Sequence, residues 1–205
     1  MAPATPGHPD VVACSTDELA AGAAGGSSAS FEALVDRLGP RLLRYLRRRV
    51  RDEHAAEDVL QETFLKAYRN LGRYDPSRSF ATWIFTIATR LAASYLRSRR
   101  PAAGVDGLDP PATGVGPAEA ASRREQNAGL WALASRVLGD GQFTALWLRY
   151  AEDMSLQEVA DVMARSKGSV KVLLHRACRR LTDRVARRQT PAADAASAGE
   201  ALVEA

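Results

Sequence analysis

The stretch from Ser155 to Leu181, SLQEVADVMARSKGSVKVLLHRACRRL, restricts what this chain can fold into more than any other. Ser155 followed by Glu158 is a capping box, the mark of a helix start. The short amphipathic helix it opens ends near Met163. Ala164 and Arg165 make a turn, and Ser166 is placed to cap a longer helix running to about Arg187. Along that helix Val170, Leu174, Ala177 and Leu181 recur on one face and predict a buried stripe. Lys167, Ser169, Lys171, Val172, His175, Arg176, Arg179 and Arg180 are left outward. A short helix, a tight turn and a second helix with a basic outer face make a helix-turn-helix, whose second helix fits the major groove of DNA. A hairpin with a merely solvated basic face is the plainer reading. The cap, the turn length and the amphipathic split together favour DNA.

The rest of the chain divides into blocks. Residues 1–30, rich in Ala, Gly, Ser and Pro, read as a disordered leader. Residues 31–101 form a first helical domain. The stretch PAAGVDGLDPPATGVGPA at 101–118 reads as flexible and sets the linker at 102–128, whose last residues begin a helix over 119–137. Residues 129–188 hold the helix-turn-helix, and 189–205 read as a flexible tail. No alternating β-branched run and no Asn-Gly hairpin is present, so the expected fold is all-α: two small helical domains joined by the linker. In the first domain a helix is expected over 31–50, kinked or split at Gly39-Pro40. A second starts at Asp52 and ends at Gly72, and a third runs from about Ser79 to Arg99.

Charge separates the blocks from their connectors. Residues 31–101 carry 15 Lys and Arg against 8 Asp and Glu, and 129–188 carry 11 against 6. The leader, linker and tail are each net acidic. Two basic units fit a polyanion touched at two places. Cys14 and Cys178 support no disulfide framework, which points to a reducing cytoplasm. No apolar run is long enough to span a bilayer, so no membrane insertion is expected. No phosphate loop, His-Glu-x-x-His or Gly-x-Ser-x-Gly is present, and no catalytic group, cofactor or metal is expected.

Two further surfaces stand out. On the second helix Asp58, Gln61, Glu62, Leu65, Lys66 and Arg69 share one outward face. Its mixed charge and exposed leucine suit a protein partner better than DNA. The loop and third helix combine aromatics with cations: Tyr74, Phe80, Trp83 and Phe85 near Arg73, Arg78, Arg90 and Arg97. Aromatics with arginine can hold unstacked bases of a single strand. Phe80 and Phe85 read as core. The polar line Thr82, Thr86, Thr89, Arg90, Ala93 and Arg97 reads as the outward, nucleic-acid-facing surface.

With both blocks in view the chain resembles the extracytoplasmic-function group of RNA polymerase sigma factors. The resemblance rests on AAEDVLQETFLKAYRNLGRYDPSRSFATWIFTIATRLAASYLRSRR at 55–100 and on the stretch 130–185. It implies that the first block is like sigma region two and the second like sigma region four. Asp58, Gln61, Glu62, Leu65, Lys66 and Arg69 would then dock on core RNA polymerase. Arg73, Tyr74, Arg78, Ser79, Thr82, Trp83, Thr86, Arg90 and Arg97 would read and melt the minus-ten promoter element. Ser166, Lys167, Ser169, Lys171, Val172, His175, Arg176 and Arg179 would read the minus-thirty-five duplex. It also implies an anti-sigma factor held between the blocks. The chain departs from the family's usual residues at Thr89-Arg90, Ser94 and Val172-Leu173. A free-standing helix-turn-helix regulator is the alternative, and it would have no use for the face on the second helix.

Overall fold

In the computed structural model, which describes residues 14–99 and 120–189, every regular element is helical. The first block holds α1 (Thr16–Ala24), α2 (Ser28–Val50), α3 (Glu53–Arg69), a 3-10 turn (Leu71–Arg73) and α4 (Phe80–Ser98). The second holds α5 (Ala120–Val137), α6 (Asp140–Tyr150), α7 (Leu156–Met163) and α8 (Lys167–Gln189). The expected leader, 1–30, is corrected by α1. Its Ser15–Glu18 capping box satisfies the first turn, and Leu19, Ala20 and Ala23 are buried in the first block's core. The Ala and Gly content that read as low complexity is what lets α1 lie close to α2. At Gly22 a Cβ would fall 2.7 Å from the Ser30 hydroxyl. The helix expected over 119–137, at the end of the linker 102–128, is α5, which starts at Ala120. The linker's earlier part, 102–119, and the tail from 190 lie outside the described residues.

Helix α2 is the spine of the first block. Leu34, Leu38, Leu42, Tyr45 and Leu46 are fully buried and fall on one helical face. The expected kink or split at Gly39-Pro40 does not divide it, for α2 runs from Ser28 to Val50 with Pro40 inside. Pro40 is on the exposed side, where water can serve the carbonyl that has lost its donor. Asp52 caps α3, its carboxylate accepting from the Ala55 N–H at 3.1 Å, as its position predicted.

Helix α4 is capped from far away in sequence. Ser79 stands at its N-cap but makes no side-chain cap bond. Asp17, on α1, accepts instead from the Phe80 N–H at 2.7 Å. The added helix therefore completes the start of the element that carries the central candidate site.

In the second block the stripe Val170, Leu174, Ala177 and Leu181 is buried against Val159 and Val162 of α7 and the apolar face of α6, as its spacing predicted. Trp131 of α5 packs against Trp147 of α6 with ring centroids 4.7 Å apart. Ala164 closes the turn in the left-handed region, at φ 50°.

The two blocks lie against one another through α2 and α4 on one side and α6 and α7 on the other. Arg49 of α2 is 7% exposed and donates to both carboxylate oxygens of Asp140, at 2.6 and 2.8 Å. It also donates to the Tyr45 hydroxyl at 2.6 Å and the Thr89 carbonyl at 3.0 Å. Burial opposes the guanidinium's charge, but the Tyr45 hydroxyl and the Asp140 carboxylate outweigh it and hold the pKa above its ordinary value. A second pair, Arg41 to Glu152 at 2.7 Å, lies at the rim. Glu152 also accepts from the Trp147 indole at 3.1 Å.

If α1 is structural, Leu19→Ala should cost about 2–5 kcal/mol in urea unfolding, as buried leucines do. Asp17→Ala should cost about 1 kcal/mol through the lost cap. Unchanged midpoints for both would show α1 to be dispensable to the first block.

Candidate nucleic-acid interface

Helix α8 carries the outward face that its periodicity predicts. Ser166, Lys167, Ser169, Lys171, Val172, His175, Arg176 and Arg179 are all exposed on α8. Ser166 caps the helix by accepting from the Ser169 N–H at 3.2 Å, and the two hydroxyls pair at 2.9 Å. Val172 is an exposed apolar group among cations, the kind of side chain that meets a thymine methyl.

On α4 the expected outward line is split. Thr82 and Thr89 are each 8% exposed, not solvent-facing. Thr82 donates to Glu158 of α7 at 3.1 Å, and Thr89 pairs with the Tyr45 hydroxyl at 3.0 Å. Thr86 is half-buried, its hydroxyl returned to the Thr82 carbonyl at 2.8 Å. Helix α7 covers Thr82, and Tyr45 of α2 covers Thr89, contacts invisible to the periodicity of any one helix. Glu158 was legible as a cap and serves as one, accepting from the Ser155 N–H at 2.8 Å. Its other oxygen holds Thr82. Burial pushes its carboxyl up, but the bonds from Ser155 and Thr82 hold it below the ordinary glutamate value.

The open face of α4 lies a third of a turn away. Trp83, Arg90 and Arg97 line a groove of about 490 Å³ together with Lys66, Asn70 and Arg73 from the end of α3 and the 3-10 turn. Four cations thus surround a half-buried indole, the pairing that suits a phosphate backbone with an unstacked base. Lys66, assigned at first to the α3 protein face, belongs to the groove's edge as well. Asn70 is added by the structure. It stands one turn beyond Lys66, and helical spacing alone could have placed it there.

Tyr74 does not stand on this surface. It is 6% exposed and packed on Phe80 and Trp83. Its hydroxyl donates to the Arg78 carbonyl at 2.6 Å and reaches Asp17 at 3.5 Å. Burial, with Asp17 second, pushes its pKa up to about 12. Tyr74 is therefore the clasp of the loop. Asp75 tightens the same loop, accepting from the Ser77 hydroxyl at 2.7 Å and the Ser77 N–H at 3.0 Å. Those bonds hold its carboxyl below the ordinary range. Arg73 and Arg78 project exposed from this fixed loop, with Ser79 half-buried behind them.

The α3 face is also in place. Asp58, Gln61, Leu65, Lys66 and Arg69 are exposed and Glu62 is half-buried, with Glu62 paired to Lys66 at 3.5 Å. Tyr68, missed in the sequence reading, is 59% exposed and extends the apolar edge begun by Leu65. It stands seven residues after Gln61, a heptad step that puts it on the same side. Among the described residues no cluster of His, Cys, Asp and Glu could hold a metal, and no helix is long and apolar enough to cross a membrane.

Comparison with known proteins gives the same division. Residues 34–101 match the family model for sigma-70 region 2, and residues 135–181 match that for sigma-70 region 4. The chain is 30% identical to the ECF RNA polymerase sigma factor SigW of Bacillus subtilis over 74% of its length and 86% of SigW. It is 31% identical to the RNA polymerase sigma factor CarQ of Myxococcus xanthus over 77% of its length and 90% of CarQ. Among solved structures it is similar to CnrH in complex with the cytosolic domain of CnrY. That likeness has a TM-score of 0.64 and 28% identity, covering 84% of this chain and 97% of CnrH.

If Tyr74 is a clasp, spectrophotometric titration should show a tyrosine ionising near pH 12, and Tyr74→Phe should abolish that step. Because the folded pKa is raised, the associated stability is whole below pH 10, the ordinary tyrosine value, and is lost as pH rises toward 12. Loss of a step at ordinary tyrosine pH instead would put the residue back on the surface.

Proposed function

The chain belongs to the extracytoplasmic-function group of sigma-70 RNA polymerase sigma factors, and we propose that it binds core polymerase and directs it to promoters through three separate surfaces. The observation that carries this is the coexistence of an exposed α3 face with a capped, cation-bearing recognition helix in one chain. A free-standing regulator would need only the second. Asp58, Gln61, Glu62, Leu65 and Arg69, with Tyr68, dock on the polymerase. Their mixed charge sets register while Leu65 and Tyr68 supply apolar area. A chain that serves the polymerase in this way acts in the cytoplasm.

The α8 face reads duplex at the minus-thirty-five element. Lys167, Ser169, Lys171 and Val172 lie nearest the base edges, while His175, Arg176 and Arg179 sit further along and suit phosphates, which position without specifying. At the minus-ten element the groove between α3 and α4 takes the displaced strand. Arg73, Arg78, Arg90 and Arg97 hold phosphates and Trp83 offers a stacking edge. Extracting a base costs a few kcal/mol of stacking, which such a pocket offsets. Tyr74 and Ser79 contribute by fixing the loop, not by touching bases. CnrH is solved with the cytosolic domain of CnrY bound, and we extend to this chain a protein partner of the anti-sigma kind.

Reversing charge with Asp58→Lys and Glu62→Lys should abolish a stable complex with core polymerase in gel filtration while duplex binding persists. Retained complex would remove the docking role from α3. In salt titrations of duplex binding, Arg176→Ala should lower the slope of log K against log salt by about 1, the signature of one phosphate contact. Lys171→Ala should cost about 1–3 kcal/mol on the preferred sequence and little on others. Equal losses on all sequences would make Lys171 a phosphate contact too.

A further inference from the structure

We infer that the end of α2, with the parts of α5 and α6 beside it, forms a binding site for a nucleoside polyphosphate, outside the three surfaces assigned to polymerase and promoter. A groove of about 950 Å³ lies there, the size of an ordinary small-molecule site. One wall is cationic: Arg44 and Arg48 stand one turn apart on α2, and Arg51 is its C-cap. The other wall is aromatic: Trp131 of α5 with Trp147 and Tyr150 of α6. Trp147 is fixed by its bond to Glu152 and by the Trp131 ring beside it. Tyr150 is 61% exposed and open to a ligand.

The cations of this groove are uncompensated, and their pattern limits the length of the ligand. Three carboxylates line it, and each is already met: Asp52 by Arg99 at 3.0 Å, Glu53 by Arg47 at 2.8 Å and Glu152 by Arg41 at 2.7 Å. The side chains of Arg44, Arg48 and Arg51 meet no hydrogen-bond or ion-pair partner among the described residues. Arg48 is half-buried even so, and a guanidinium partly out of water attracts an anion more strongly than one in bulk solvent. From Arg44 to Arg51 the chain rises about 10 Å along α2. That length suits a short run of phosphates, each of which a guanidinium can grip with two bonds. The row of free cations stops at both ends. Arg41, one turn before Arg44, is taken by Glu152, and Asp52 and Glu53 follow directly on Arg51. A long strand would have to run past these carboxylates, so a short polyphosphate fits the groove better than a continuous nucleic acid. The aromatic wall supplies what bare phosphate has no use for, rings against which a base stacks.

The test uses the full chain, with ATP and GTP as probes and tryptophan fluorescence as the readout, since two of the three tryptophans, Trp131 and Trp147, line the groove. Each nucleotide should change the fluorescence at submillimolar concentration. Affinity should fall at least tenfold in the double variant Arg44→Ala with Arg48→Ala, whose folding is checked by circular dichroism. Arg44→Ala alone, at an exposed position, should cost at least threefold. Arg90→Ala, in the separate groove around Trp83, should leave nucleotide affinity unchanged. Inorganic tripolyphosphate, titrated in competition, should bind at least fivefold more weakly than ATP, and Tyr150→Ala should bring ATP down toward that level. Absence of binding by both nucleotides at millimolar concentration overturns the site. A loss in Arg90→Ala equal to that in the double variant overturns it too, because the nucleotide then sits in the other groove. Tripolyphosphate as tight as ATP removes the nucleoside from the proposal and leaves a bare polyanion patch. A short single-stranded oligonucleotide that binds more tightly than ATP, and is lost in the double variant, gives the groove to a strand instead.

Discussion

The arrangement turns on one buried cation. Arg49 lies on the spine helix of the first block, yet most of what satisfies it comes from elsewhere: Asp140 from the second block, and the Thr89 carbonyl from α4, which lines the groove around Trp83. A guanidinium out of water is costly unless nearly all its donors are used. Meeting that demand fixes three helices at once. The position of α6 against α2 brings α7 over α4, and α7 decides which side of α4 stays open. The groove around Trp83 is the side that remains.

The sequence exposed some of this plainly. Periodicity placed α2, α3, α4 and the two helices of the helix-turn-helix, because each buries a continuous stripe, and Asp52, Ser155 and Ser166 marked three of the starts. It also set Phe80 and Phe85 in the core, where both have no exposed surface. What it hid has a common cause. Thr82 and Thr89 are polar and stand on what looks like an outer face, but Glu158 of the second block takes Thr82 and Tyr45 of α2 takes Thr89. Tyr74 sits in a loop of charged and turn-forming residues, and is buried by the rings of Phe80 and Trp83, with Asp17, more than fifty positions earlier, at the edge of its hydroxyl. Helix α1 is written in alanine and glycine, which carry little hydropathy signal even when they pack closely. Reading one element at a time finds the stripe an element buries, and misses polar groups satisfied across elements.

The three surfaces are held with different firmness. The α8 face is fixed by a cap and a buried stripe under it. The loop bearing Arg73 and Arg78 is fixed by the Tyr74 clasp and the Asp75 turn. The α3 face rests on a helix capped by Asp52, which Arg99 at the end of α4 also meets at 3.0 Å. Each surface thus borrows rigidity from a residue that need not touch a partner. The departures at Val172 and Ser94 fall on the surfaces themselves, where they can retune recognition without loosening the frame, while Leu173 is half-buried against the core.

The reach of these bonds along the chain also sets an order of events during synthesis. Asp17 leaves the ribosome 63 residues before the Phe80 N–H it will meet, and Arg49 leaves 91 residues before Asp140. At elongation rates of about 5–20 residues per second, the first gap lasts roughly 3–13 seconds and the second roughly 5–18. The first block can be complete while its covering partner does not yet exist. A newborn chain therefore passes through an interval in which α4 is finished and bare. In that interval its aromatic interface, Tyr45 and Phe85 included, depends on chaperones or on speed to stay clear of other chains.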